Sequence, residues 1–359
     1  MKKIFSIYIL FVFIPITLVI EHFSPHSSNM IFFSAALSII PIARLISEST
    51  ENLSHYTGDA VGGLLNATFG NFPEFIIILM ALKAGLQQMV LASIIGAILA
   101  NLLLALGVSF FLGGLKFHIQ EFNPVSSRIY STMMFIAVIS LVVPSSFSKI
   151  FGSEDLLRET SMLNIGLCIV LLTTYIFYIF FMVKTHPDFF KSVISNEETQ
   201  EHTHHWSIKK SVTLLILASL MAALMSEILV GSAEETGKSL GMTTVFIGIV
   251  ILSIVGGAAE SLSAISMARK NKLDLTLGIC LGSCIQIALF IAPVSVFMSY
   301  IFGNQPLNLT FGRAELGALF LAVLMGIMIV SDGKSNWYKG VQLIAVYIII
   351  AVLFYFIPE

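Results

Sequence analysis

Apolar runs of roughly 17 to 25 residues alternate with short polar breaks along nearly the whole chain. They fall at about 4–20, 30–47, 60–83, 88–112, 129–148, 162–183, 208–230, 243–268, 274–301, 315–331 and 338–357. As a helix, each is long enough to cross a hydrocarbon layer of about 30 Å. The pattern predicts an all-α polytopic membrane protein with about eleven transmembrane helices. A transmembrane β-barrel is excluded, because its strands would alternate apolar and polar residues over about ten positions.

Composition sharpens this reading. Of 359 residues, 57% are hydrophobic and 11% are charged, against about a quarter charged in a soluble domain, and the mean hydropathy is +0.93. The net charge of −2 gives no basic footprint for nucleic acid, so the expected surroundings are a lipid bilayer. Cys168, Cys280 and Cys284 lie in apolar runs without metal-ligand spacing and read as small packing residues. The start, Met1-Lys2-Lys3 before an apolar run, resembles a signal peptide but lacks a small-residue cleavage site, so it reads as a retained first helix.

Charge orients the chain. With eleven crossings, fourteen of the nineteen Lys and Arg residues fall on the side of the N-terminus, among them Lys116 and Arg269, and five fall opposite, among them Lys83 and Lys238. The positive-inside tendency then puts the N-terminus in the cytoplasm and the C-terminus outside.

The chain also matches itself. Gly70-Asn71-Phe72-Pro73-Glu74 aligns with Gly256-Gly257-Ala258-Ala259-Glu260 at an offset of 186 residues, which also places Lys83 over Arg269 and Gly96 over Gly282. Asn101 falls near Gln286, out of step by one residue. The predicted organisation is an N-terminal helix in 1–29, a first repeat of helices 2–6 in 30–184, a cytoplasmic acidic and His-rich linker in 185–207, and a second repeat of helices 7–11 in 208–359. Because Glu74 and Glu260 lie on helices running in opposite directions, the two five-helix repeats are expected to be inverted, a common plan in secondary transporters.

A carboxylate in mid-membrane is costly and marks an ion path or proton relay by default. Here there are two, at matching positions. Ca2+ takes six to eight oxygens from carboxylates, amides, carbonyls and water. Glu74 and Glu260 would supply charge, and Asn71, Asn101, Ser283 and Gln286 neutral oxygens. Gly70, Pro73, Gly256 and Gly257 look like helix interruptions, since proline cannot donate to the preceding turn and glycine weakens it. Glu48, Glu51, Glu227 and Glu234 at helix ends read as solvated charges. His202, His204 and His205 with Glu197, Glu198 and Glu201 read as a solvated connector. No H-E-x-x-H and no Asp-rich phosphate-binding motif is found, so an enzyme is not expected.

The segments G-G-L-L-N-A-T-F-G-N-F-P-E with A-L-K-A-G (62–85) and G-G-A-A-E with K-N-K-L-D-L-T-L-G and G-S-C-I-Q-I-A-L-F-I-A-P (256–293) resemble the two signature regions of the cation/proton exchanger family of Ca2+:cation antiporters. The resemblance implies an eleven-helix antiporter that binds Ca2+ through one glutamate per repeat and releases it against H+. By position these are Glu74 and Glu260, which would alternately hold metal and protons. The sequence departs from the family pattern at Gly257, where an Asn is usual, and at Ser261, where a His is usual. The expectation is therefore export of Ca2+ or Mn2+ in exchange for H+. A Na+- or K+-coupled Ca2+ exchanger is the nearest alternative, and a cation channel a more distant one.

Overall fold

The structure, a computed structural model, describes residues 7–151, 157–190, 206–302 and 305–357. It is helical almost throughout. Following the turn Ile9–Val12 come α1 (Phe13–Phe23), α2 (Ser28–Phe69), α3 (Phe72–Lys83), α4 (Gln87–Leu99), α5 (Leu106–Phe117), α6 (Pro124–Phe151) and α7 (Leu157–Phe180). The remainder holds α8 (Ile208–Leu240), α9 (Thr244–Phe246), α10 (Ser253–Gly256), α11 (Ala258–Arg269), α12 (Leu273–Gln286), α13 (Ala292–Phe302), α14 (Arg313–Val330) and α15 (Trp337–Phe356). Among the described residues, four stretches adopt the wider π-helix: Ala100–Ala105, Phe181–Thr185, Ile247–Leu252 and Ile287–Ile291. Two short strands, β1 (Ile119–Glu121) and β2 (Lys334–Asn336), pair antiparallel with Gln120 opposite Ser335.

Among the described residues, eight helices are long and apolar enough to cross a membrane, or nine if the bent pair Thr244–Gly256 and Ala258–Arg269 forms one span. Two predicted spans fall outside that set. Ile9–Phe23 is a shorter apolar helix, and 60–83 is interrupted after Phe69. Burial sorts the spans: the best window of Gln87–Phe117 is 89% buried and that of Leu273–Phe302 is 72%, whereas that of Ser161–Thr185 is 22%. Ile169, Val170, Ile176 and Phe177 on the last of these are exposed, which fits a lipid-facing helix.

The apolar pattern breaks at 48–59, yet one α-helix spans Ser28–Phe69, with Pro41 inside it. Polar side chains satisfy themselves along this helix. Arg44 Nε pairs with Glu48 at 2.7 Å, and Ser49, Thr50 and Asn52 bond carbonyls four residues back. No proline lies within 48–59 to stop the helix.

The chain packs as two compact units, the first comprising Met1–Ala97, His204–Glu260 and Ala351–Glu359, the second Ile98–Thr203 and Ser261–Ile350. These are packing divisions, distinct from the sequence repeat. In the first unit α2 lies along α8. At one end Ser28 donates to Glu235 and Ser239 to Asn29; at the other Asn52 accepts the Trp206 N–H at 3.0 Å and Tyr56 donates to its carbonyl at 2.9 Å. In the second unit, the non-helical stretch 305–312 buries Leu307, Leu309 and Phe311, whose backbone groups are served by side chains. Asn164 bonds Leu307 and Leu309, Ser299 accepts from Leu307, and Ser145 accepts from Phe311. Inside a bilayer, non-helical backbone needs such partners.

Candidate functional site

Both glutamates stand in the first turn of a helix that follows a break. After α2 ends at Phe69, Gly70 and Asn71 form a turn, Asn71 leaves helical geometry (φ −92°, ψ 25°), and α3 restarts with Pro73 in its first turn and Glu74 as third residue. There the missing proline N–H costs nothing, since first-turn amides lack intrahelical partners. In the second motif α10 ends at Gly256, Gly257 sits at φ −78°, ψ 6°, and α11 begins at Ala258 with Glu260 as third residue. The axis bends by 57° there. Each carboxyl thus lies at the positive end of a half-helix dipole.

The two half-helices also end alike. Phe72–Lys83 and Ala258–Arg269 both span 12 residues, with starts and ends 186 apart. Leu86 N–H bonds the Ala81 carbonyl just as Lys272 N–H bonds that of Met267. The left-handed cap residues are Gly85 (φ 77°) and Asn271 (φ 61°), the two residue types that adopt this conformation at least cost.

Glu74, Glu260, Asn71 and all four interrupting residues belong to the first unit. Glu74 is 4% exposed, and neither of its carboxyl oxygens has a hydrogen-bond partner among the described residues. A Cβ added at Gly256 would come within 2.9 Å of Glu74 Cγ, so the glycine is what lets α10 approach this side chain. Glu260 is 8% exposed and Asn71 1%, and Glu260 follows by four residues the Gly256 that packs against Glu74. A buried carboxylate without partners costs several kcal/mol, and buried polar atoms are normally satisfied by protein, water or ion. The arrangement suits a group that alternately takes a proton and a cation. Among the described residues, no three His, Cys, Asp or Glu side chains converge.

Asn101, Ser283 and Gln286 belong to the second unit and are buried, at 2%, 6% and 5% exposure. Asn101 lies within the π-segment Ala100–Ala105, against which α12 packs, and Gln286 immediately precedes the π-segment Ile287–Ile291. Single π-turns inside α-helices concentrate at functional sites. Hydropathy does not reveal them; the available signal is the one-residue slip between Asn101 and Gln286. Of the other acidic candidates, Glu48 bonds Arg44 and Tyr8, Glu227 pairs with Lys83 at 2.8 Å, and Glu51 and Glu234 are exposed. All three cysteines are buried. His202, His204, His205, Glu197, Glu198 and Glu201 lie outside the described residues.

Residues 27–184 and 210–356 match the family described as sodium/calcium exchanger protein. A Ca2+/H+ antiporter from Aphanothece halophytica is 38% identical over 97% of this chain and 96% of its own length. The Ca2+/H+ antiporter ChaA of Bacillus subtilis is 41% identical over 91% of this chain and 92% of its own. The solved structure of native YfkE is 38% identical and superposes with a TM-score of 0.84, covering 98% of this chain and all of that one.

Proposed function

This chain belongs to the sodium/calcium exchanger protein family, and we propose that it is an integral multi-pass membrane Ca2+/H+ antiporter that carries its cation on Glu74 and Glu260. The observation that carries this reading is the buried carboxyl of Glu74, without a hydrogen-bond partner among the described residues and packed against Gly256 at the helix break that precedes Glu260. Ca2+ and H+ compete for the same oxygens. One site cannot hold both, so cation movement one way is coupled to proton movement the other. Asn71 supplies a neutral oxygen within the same unit; Asn101, Ser283 and Gln286 are assigned as further neutral ligands from sequence alone.

Around this pair we place eleven crossings, counting Ile9–Phe23, the interrupted stretch 60–83 and the bent pair as spans, in two inverted five-helix repeats preceded by one helix. The 186-residue correspondence of α3 with α11 supports the repeat. The charge count supports a cytoplasmic N-terminus and an external C-terminus. Lys116 Nζ donates to the Arg269 carbonyl at 3.0 Å, consistent with both lying on the cytoplasmic side. In a background lacking Cys168, Cys280 and Cys284, single cysteines at 83 and 238 are expected to label from outside and those at 116 and 269 from inside. Labelling of 83 and 269 from one side would end the inverted arrangement.

The function is tested with purified protein in sealed vesicles under an imposed pH gradient. Ca2+ flux should follow the proton gradient without Na+. The sign of the pH dependence is fixed by linkage: Ca2+ displaces protons from the carboxyl pair, so apparent Ca2+ affinity falls as pH falls, by about tenfold per pH unit for each proton displaced. Gly257 and Ser261 motivate the sodium-coupled alternative, because the side chains that the family usually offers there are missing. An affinity independent of pH together with Na+-dependent flux would establish that alternative instead.

A further inference from the structure

The helix carrying Glu260 ends at Arg269, and the last carbonyls of any α-helix lack partners within it. Here each of the final three is taken. Met267 accepts from the backbone N–H groups of Lys270 and Lys272, both at 3.0 Å. Arg269 accepts from Lys116 Nζ at 3.0 Å. Ala268 accepts from the Asn271 N–H at 3.1 Å and from Gln120 Nε2 at 2.9 Å. The same Gln120 amide also donates to Asn271 Oδ1 at 2.8 Å, so one side chain holds both the last turn of α11 and its left-handed cap residue.

Gln120 is built into its place. It is 1% exposed in the middle of β1, across from Ser335. Its carbonyl oxygen has no hydrogen-bond partner among the described residues and faces Gly113, where an added Cβ would lie 2.3 Å from it and 3.1 Å from the Ala268 carbonyl. The amide has a single workable orientation, because a flipped group would set its oxygen against two acceptors. Gln120, Gly113, Ala268 and Asn271 all belong to the second unit. Glu260 stands eight residues earlier on the same helix, about 12 Å along its axis, and an α-helix of that length transmits displacement of one end to the other.

We propose that Gln120 is a positioning residue for cation binding: by gripping the end of α11 it holds the axial position and rotation of the helix that carries Glu260. The proposal rests on the reading that Glu260 carries Ca2+. It is tested by Ca2+ uptake in vesicles containing Gln120→Met, which keeps length and bulk but donates nothing. KM for Ca2+ should rise about fivefold to tenfold, the order expected for one net hydrogen bond, while Vmax at saturating Ca2+ stays within about twofold. A purely structural defect does the opposite, lowering Vmax through fewer active molecules and leaving KM alone.

Ser335→Ala is the control. It alters the cross-strand neighbour, whose hydroxyl has no hydrogen-bond partner among the described residues, and should leave KM unchanged. Should Gln120→Met fail to accumulate, Asn271→Gly decides with the same readout: glycine keeps the positive φ but removes one of the two acceptors, so KM should rise about threefold. A wild-type KM in Gln120→Met, or in Asn271→Gly where that variant decides, overturns the proposal, as does an equal KM increase in Ser335→Ala. Absence of Ca2+ uptake by the unsubstituted protein would instead count against the antiporter reading.

Discussion

Glu74→Gln is expected to abolish Ca2+/H+ exchange while leaving folded protein in the membrane, and Glu260→Gln to do the same. Glutamine preserves the shape of each side chain but removes one of the two negative charges available to a divalent cation, and Ca2+ affinity scales over orders of magnitude with ligand charge. A loss of at least about a hundredfold in transport rate at sub-saturating Ca2+ is anticipated for either variant. Folding should survive, because the Glu74 oxygens make no hydrogen bond among the described residues. Replacing a buried carboxyl by a neutral amide also relieves desolvation. The measurement is initial-rate Ca2+ uptake in vesicles, normalised to monodisperse protein recovered from the same membranes. Normal uptake by either variant would remove that residue from the cation site. Asn101→Ala and Gln286→Ala remove neutral oxygens only, so smaller losses are expected from them.

Where the sequence spoke clearly, the reason is local. The restarts at Phe72 and Ala258 follow from Gly70-Asn71 before Pro73 and from Gly256-Gly257. The ends at Lys83 and Arg269 follow from a cap residue, Gly85 or Asn271, that tolerates positive φ. These signals lie within a few residues of the feature they specify, so the 186-residue offset carries over to the helix bounds. The polar stretch 48–59 misleads because hydropathy reports solvent, while helix continuity depends on backbone bonds and on side chains that bond their own turn. The π-segments are silent for a related reason: a change from i→i−4 to i→i−5 bonding leaves apolar composition untouched. Gln120 is invisible for a third reason. Its importance lies in meeting Ala268 and Asn271 across about 150 residues of chain, which no single sequence encodes as a pattern.

The same limit separates Gly96 from Gly282, which the internal alignment treats as equivalent. Gly96→Ala is expected to be strongly destabilising and Gly282→Ala close to neutral. A Cβ at Gly96 would lie 2.3 Å from Ser253 Oγ, 2.4 Å from the Ile249 carbonyl and 2.5 Å from Ile249 Cα. Two of these three are backbone atoms, which cannot swing aside, so α4 would have to retreat from the segment that leads into Gly256, the glycine packed against Glu74. Overpacking of this kind typically costs about 1–3 kcal/mol and sometimes more. Because the retreat would reach the α10 backbone that packs on Glu74, transport should fall further than the recovered protein does. At Gly282 an added Cβ meets no atom within 4 Å, and alanine there improves helix propensity by nearly 1 kcal/mol. Thermal unfolding in detergent, followed by the loss of monodisperse protein on heating, compares the two directly. The expected order is a midpoint lowered by several degrees for Gly96→Ala and one within about a degree of the parent for Gly282→Ala. Equal midpoints would mean that α4 does not approach Ile249 and Ser253 as closely as the structure has it, and would undo the account of how Gly256 comes to lie against Glu74.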